Sequence, residues 1–198
     1  MANVKLGTKA VGSIVKIKVN GASKDFIVVQ QGNPNTSTYD SSCAGTWLLM
    51  KDIYTTSTFG SNNSYKGSSI HTYLNGTFYN LIDSNIRAAI KQVKIPYQNG
   101  TGSGGSLATG SNGLSTKVFL LSGYEVGWTT SDNSYFPKDG VQLAYFGNSS
   151  GGNSKRVAYN GSSAAIWWLR SPYTSNNYNV WDVKTDGSNY NYWYNNSY

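Results

Sequence analysis

One cysteine, one histidine and nine carboxylates are the whole of the reactive inventory in this 198-residue chain. A lone Cys43 excludes an intrachain disulfide framework and a cysteine-based zinc site. A lone His71 excludes multi-histidine metal centres. The acids are eight aspartates and Glu125. Acid–base catalysis by a Ser-His-Asp set or by paired carboxylates has little to draw on, so the chain reads as a non-enzyme without a cofactor. Cys43 reads as a small apolar residue, and His71 as a structural residue near a helix start. Glu125, in Tyr124-Glu125-Val126-Gly127-Trp128, reads as a buried acid tied to backbone or to Arg170. Asp132 and Asn133 offer oxygen ligands for a hard cation, but their spacing matches no calcium-loop motif, so no metal ligand is assigned.

The chemistry that the residues do support is recognition. From Ser171 to Tyr198 the chain holds seven Asn, six Tyr and four Ser, with Trp181 and Trp193 among them. Tyr and Trp supply large contact area at low entropic cost, and Asn and Ser supply adaptable hydrogen bonds. The candidate ligand-binding residues are Tyr173, Asn176, Asn177, Tyr178, Asn179, Trp181, Asp182, Asn189, Tyr190, Asn191, Tyr192, Trp193, Tyr194, Asn195 and Asn196. Two strand patterns run through them. Val180-Trp181-Asp182-Val183 is one; after the turn residues Asp186-Gly187 comes Tyr190-Asn191-Tyr192-Trp193-Tyr194. Alternation places Tyr190, Tyr192 and Tyr194 on one face. The candidate residues are expected to be exposed together on one surface, over a backbone held by Trp167, Trp168 and Leu169.

The elements that must position this surface can be read upstream. Ser13–Val19 alternates apolar and basic residues and is followed by Asn20-Gly21, which predicts a hairpin with Lys24–Gln30. Thr46–Met50 predicts a buried strand. Ser68 or Ser69 caps a helix carrying Ile70, Tyr73, Leu74, Phe78 and Leu81, interrupted near Asn75-Gly76. Asp83 caps a second helix from Ser84 to Val93. Gly100–Gly113 lacks the Gly-Lys-Ser/Thr ending of a phosphate cradle and reads as a flexible surface loop. Gly147–Asn153 reads as another soft loop. Val118–Ser122 predicts a central strand, and Trp47, Phe119, Leu120, Trp128, Trp167 and Leu169 a buried core. Together these give an α+β domain with mixed sheets, two helices and long loops, spanning residues 1–198 as one unit.

Composition sets the limits. The net charge is +7, with 38% apolar and 13% charged residues. The polarity is uncharged: 27 Ser, 22 Asn and 22 Gly. That excludes a coiled coil, and 28 aromatic residues exclude a charge-driven disordered chain. No apolar run approaches a membrane span. Met1–Lys18 has lysines scattered through it and no apolar centre, so no secretory leader is expected. Single-stranded nucleic acid is a weaker partner than the basic balance suggests. The window 171–198 holds one base, Lys184, against Asp182 and Asp186.

Several segments also resemble a known group. Trp167-Trp168-Leu169-Arg170-Ser171-Pro172 ahead of a Tyr/Asn-rich stretch resembles a domain-of-unknown-function family of gut Firmicutes and their prophages. So do Phe26–Pro34, Thr46–Leu49, Ile90–Tyr97 and Phe119–Trp128. That family is similar to the C-type-lectin-like variable proteins of diversity-generating retroelements. In those systems adenine mutagenesis of a template turns Asn codons into Asn, Tyr, Ser, Asp and others. The resemblance implies a C-type-lectin-like fold with 171–198 as its variable region. It implies a display protein on a phage tail or bacterial surface that binds a host-cell surface protein or glycan, as a homo-oligomer or attached to the tail. The resembled pattern continues past the final Tyr with a Gly-Val-Arg-Pro type ending and a last strand. This sequence ends at Tyr198. The Glu-Pro-Asn triplet of calcium-dependent sugar binding is missing, so a carbohydrate-binding module of this kind would be metal-free.

Overall fold

The computed structural model describes residues 5–198; Met1–Val4, the start of the stretch read for a leader, lie outside the described residues. Strand β1 (Ile14–Val19) pairs with β2 (Ala22–Gln31) in an antiparallel hairpin whose register closes at Val19 and Ala22. Asn20 and Gly21 have φ of 50° and 74°, the paired positive values that a two-residue turn of this hand requires. Lys16 and Lys18 point outward while Ile17 and Val19 are buried. Strand β3 (Thr46–Met50) pairs with the other edge of β2. Residues 26–29 at the centre of this sheet are buried on both faces.

The helical run begins where its cap predicts. Ser68 accepts the His71 amide ahead of α1 (Ser69–Tyr73), which continues through a π turn (Leu74–Phe78) into α2 (Tyr79–Leu81). Asn75 explains the wide turn. Its Nδ2 donates to the carbonyls of His71 and Val118, and its Oδ1 accepts the amides of Lys117 and Val118. A side chain that satisfies four backbone groups of two segments costs the helix one regular turn. Ile17, Val19, Phe26, Phe78 and Ile82 close a small core between this run and the first sheet.

The second helix is much shorter than expected. Asp83 does cap it, accepting the Asn85 amide, but α3 covers only Ser84–Arg87. Val93, read as the last helical residue, opens β4 (Val93–Ile95) instead. Strands β5 (Tyr97–Asn99), β6 (Ser106–Ala108) and β7 (Leu114–Thr116) follow, with β4 on β7 and β5 on β6. The ladder with β7 takes the backbone that a longer helix would have used, and tertiary pairing overrides the local helical spacing.

Val118–Ser122 forms no strand. Side chains take several of its polar groups instead of a strand partner. The Leu120 amide donates to the Tyr65 hydroxyl, the Leu120 carbonyl accepts from Arg170 Nη1, and the Ser122 amide donates to Glu125 Oε2. The expected core is correspondingly divided. Trp47, Trp128 and Leu169 are buried, whereas Phe119, Leu120 and Trp167 are half-buried at its margin.

A short hairpin of β8 (Ala158–Asn160) and β9 (Ser163–Ala165) leads into the last sheet. That sheet has the order β10 (Trp167–Pro172), β11 (Asn179–Val183), β12 (Asn189–Trp193), all antiparallel. The result is α+β: three short helices among several small antiparallel sheets. Replacing the fully buried Leu169 by Ala should cost about 2–5 kcal/mol, because the cavity collapses only in part. Leu120→Ala should cost clearly less. Urea titration of the two variants checks this; equal losses would put Leu120 in the core after all.

Candidate functional site

The C-terminal surface is positioned from beneath by Arg170 of β10. Both Arg170 and Glu125 are fully buried, and they meet in a two-pronged ion pair of 2.5 and 2.7 Å. The guanidinium also donates to the carbonyls of Pro96, Leu120 and Asp139. Burial opposes its charge, but the Glu125 carboxylate together with Asp139 and Tyr39 outweighs burial and holds its pKa above the ordinary value. The Tyr39 hydroxyl donates to Glu125 Oε1 at 2.8 Å and accepts the Val141 amide. Next along the strand, Ser171 Oγ lies 3.0 and 2.8 Å from the two Asp139 oxygens and accepts the Gly123 amide. Burial raises the Asp139 carboxyl to about 7, against the pull of Arg170.

A second anchor holds the loop before β11, and the sequence did not reveal it. Asn63 is fully buried. Its Nδ2 donates to the carbonyls of Asn176 and Asn179 at 2.8 Å, and its Oδ1 accepts the Gly102 amide. The Gly100–Gly113 segment is therefore no free loop. Gly102 is packed so closely that an added Cβ would lie 2.1 Å from the Tyr173 carbonyl oxygen. Ser103 completes the contact, donating from its amide and hydroxyl to Asn177 Oδ1. Gly147–Asn153 is ordered in the same manner. It winds as a short 3₁₀ turn around Arg156, which donates to the carbonyls of Gly147, Ser149 and Val126 and stacks 4.2 Å over the Trp128 ring.

The fifteen candidate residues do not share one surface. Both strands form as read, but β11 is buried on its two faces. Trp181 is 1% exposed. Phe136 stacks on it at 3.8 Å, Tyr173 packs at its edge, and its indole N–H donates to the Tyr135 carbonyl. Asp182 is also fully buried. Neither can meet a ligand at the surface, which corrects the expectation for both. The cause is position: β11 is the middle strand, with β10 and β12 at its sides and loops over both faces. Alternation then divides the others. Asn179, Asn189, Asn191 and Trp193 lie on the face of Trp181, while Tyr190 and Tyr192 lie on that of Asp182.

Exposure separates them further. Asn177, Tyr178, Tyr190, Trp193 and Asn195 are exposed. Tyr173, Asn176, Asn179, Asn189, Asn191, Tyr192, Tyr194 and Asn196 are half-buried. The expected tyrosine face is mostly spent on packing: the Tyr192 ring lies against Tyr198, and Tyr198 against Trp168. The Tyr194 carbonyl accepts the amides of Phe59 and Gly60, and Tyr198 exchanges two backbone bonds with Ser57. Tyr178 and Trp193 meet with ring centres 5.4 Å apart and remain open.

The remaining reactive groups are occupied in other ways. Asp132 Oδ2 accepts from the Thr129 amide and hydroxyl. Cys43 is buried with its thiol on the Lys94 carbonyl, and burial pushes the thiol up to about 11, away from the reactive thiolate. His71 lies beside Tyr65 and Thr116, and burial lowers its pKa. Among the described residues no three His, Cys, Asp or Glu side chains gather as metal ligands, and no helix is long and apolar enough to cross a membrane.

The site is thus a two-anchored β-hairpin with an aromatic and amide outer surface, on an α+β domain. Residues 44–198 match the family described as domain of unknown function DUF6273, and the chain belongs to that family. No curated protein and no solved structure matches it.

Asp182 gives this region a pH signature. Neither carboxylate oxygen has a hydrogen bond of ordinary geometry. Burial raises its pKa to about 8, with the Lys184 charge and the Tyr192 amide pulling the other way. Asp139 is raised as well. The unfolded chain releases these protons near the ordinary value of about 4, and the folded chain holds them longer. The stability is therefore full below pH ~4 and is lost as pH rises through the folded values. The melting midpoint should fall between pH 5 and pH 9. Asp182→Asn should raise it at pH 8.5 and flatten the profile. A variant that melts below the parent at pH 8.5 would contradict the assignment.

Proposed function

We propose that this protein is a ligand-recognition domain in which a fixed core presents the outer surface of residues 171–198. One observation carries the reading. Of the eight large apolar or aromatic side chains most exposed on the described chain, Tyr178, Tyr190 and Trp193 belong to this hairpin and its entry loop; Tyr178 and Trp193 meet in the open on one face, and Tyr190 stands on the other. Isolated exposed apolar residues are ordinary, but a cluster of them marks a contact surface. Tyr and Trp are also the residues most enriched among binding anchors. The backbone beneath is held by Arg170 and Asn63, so side chains can change without moving the strands.

The resemblance to variable proteins of diversity-generating retroelements, with a C-type-lectin-like fold, supports a more particular form. In that form the domain is a display protein of a phage tail or bacterial surface, and its partner is a molecule on a host cell. The Asn, Tyr and Ser bias of exposed positions in 171–198 is what adenine-directed diversification of that segment leaves behind. A small library at Asn177, Tyr178, Tyr190, Trp193 and Asn195 tests the proposal. Members should melt within a few degrees of the parent, since exposed substitutions mostly act within about ±0.5 kcal/mol. They should differ widely in capture of bacterial surface fractions. A library that mostly unfolds, or whose members all bind alike, would overturn it.

A further inference from the structure

We propose that the hairpin face bearing Trp193 binds a neutral oligosaccharide, stacked on Tyr178 and Trp193 and hydrogen-bonded along β12 toward Asn189. This rests on reading 171–198 as the recognition surface, and it names the class of ligand.

The rings come first. Tyr178 and Trp193 are 46% and 57% exposed, the latter the most exposed large side chain among the described apolar and aromatic residues. They are inclined at 57°, an open, angled pair instead of a closed stack. The Tyr194 amide donates to the Tyr178 carbonyl, and Asn179 is the cross-strand partner of Trp193, so both rings stand on paired backbone. A hexose presents an apolar face of C–H groups that packs on such rings. Its rim of hydroxyls needs donors and acceptors close by.

Those groups are present on the same face. Asn179, Asn191 and Asn189 share it with Trp193. Asn179 donates to Asn191 Oδ1 at 2.5 Å and its own Oδ1 is buried, so the polar contacts along the strand fall to Asn191 and Asn189. Asn177 accepts from Ser103 through Oδ1, which leaves its two amide hydrogens as donors. Asn189 is four residues from Trp193, about 13 Å along the strand at the usual rise. There it borders a cleft of about 200 Å³ lined by Trp128, Asp132, Ser149, Asn153 and Ser188. The aromatic pair and the polar cleft thus mark two ends of one strand face. That length suits a chain of sugar rings better than a single one.

Charge selects a neutral ligand. The one ionisable side chain lining the cleft is Asp132, already held by Thr129. Lys184 lies toward the Tyr190 ring, on the opposite face, and Asp186 is engaged by Ser188 in the turn. Phosphate, sulfate or nucleic acid would need basic side chains that this face lacks.

The test is titration of the intact protein with a panel of neutral linear oligosaccharides: glucans, mannans, galactans and chitooligosaccharides. Tryptophan fluorescence and calorimetry are read at low and high salt, with EDTA present. At least one should bind with an affinity unchanged by salt. Trp193→Ala and Tyr178→Ala should each weaken it about tenfold or more without shifting the melting midpoint, and Trp193→Phe should retain part of it. No binding across the panel, binding abolished by salt, or binding untouched by both alanine variants overturns the inference. The parent reading is checked separately on bacterial surface fractions. If the sugars fail but Trp193→Ala still abolishes capture of a protease-sensitive fraction, the surface recognises protein and only the ligand class is wrong. If the alanine variants alter no binding at all, the recognition surface itself is misplaced.

Discussion

A guanidinium buried out of reach of solvent must have every N–H satisfied, and Arg170 sets the terms for the rest of this fold. Its five donors meet five acceptors: two oxygens of Glu125 and the carbonyls of Pro96, Leu120 and Asp139. Those acceptors come from separate parts of the chain, so one side chain fixes the mutual positions of several loops. Net stabilisation from a buried ion pair is small, because desolvation offsets most of the attraction. Loss of one partner, in contrast, typically costs about 3–5 kcal/mol, since it strands a charge. The pair acts as a specification of structure more than as a source of stability.

The same logic recurs at smaller scale. A chain of short strands and long loops leaves many backbone groups without ladder partners, and each must be satisfied or exposed. Asn63, Asn75 and Arg156 each bind several carbonyls or amides of distant segments. Tyr39 and Tyr65 each take one amide through their hydroxyls. This gives a physical reason for a composition so rich in Asn, Ser, Gly and Tyr and so poor in charge. Part of that composition builds the scaffold, and part of it covers the C-terminal surface.

That double use explains what could be read from the sequence and what could not. Local signals were reliable. Asn20-Gly21 gave its hairpin, Ser68 and Asp83 gave their caps, and the strands around Trp181 and Trp193 lie close to where alternation put them. The pairing of Glu125 with Arg170 was within reach because a buried acid in an apolar run needs a partner. Non-local competition was not legible. Val93 left its helix for β7, and Val118–Ser122 gave its backbone to side chains from elsewhere. Within the site, composition alone could not distinguish an Asn that holds a loop from one that meets a ligand. Trp181 and Asp182 looked like surface residues because nothing in their spacing shows that β11 is covered on both faces. Asn63 and Gly102 left no periodic trace at all.

The central claim is that Glu125 and Arg170 organise the loops beneath the C-terminal surface as one unit. Hydrogen exchange on Glu125→Gln tests it most directly, because the substitution keeps shape and removes only the counter-charge. The account predicts that amide protection falls together in segments 94–98, 119–126, 138–141 and 167–183, by a similar factor in each, while the β1–β2 hairpin is less affected. Loss of protection confined to 122–126, with β10 and β11 exchanging as in the parent, would contradict it.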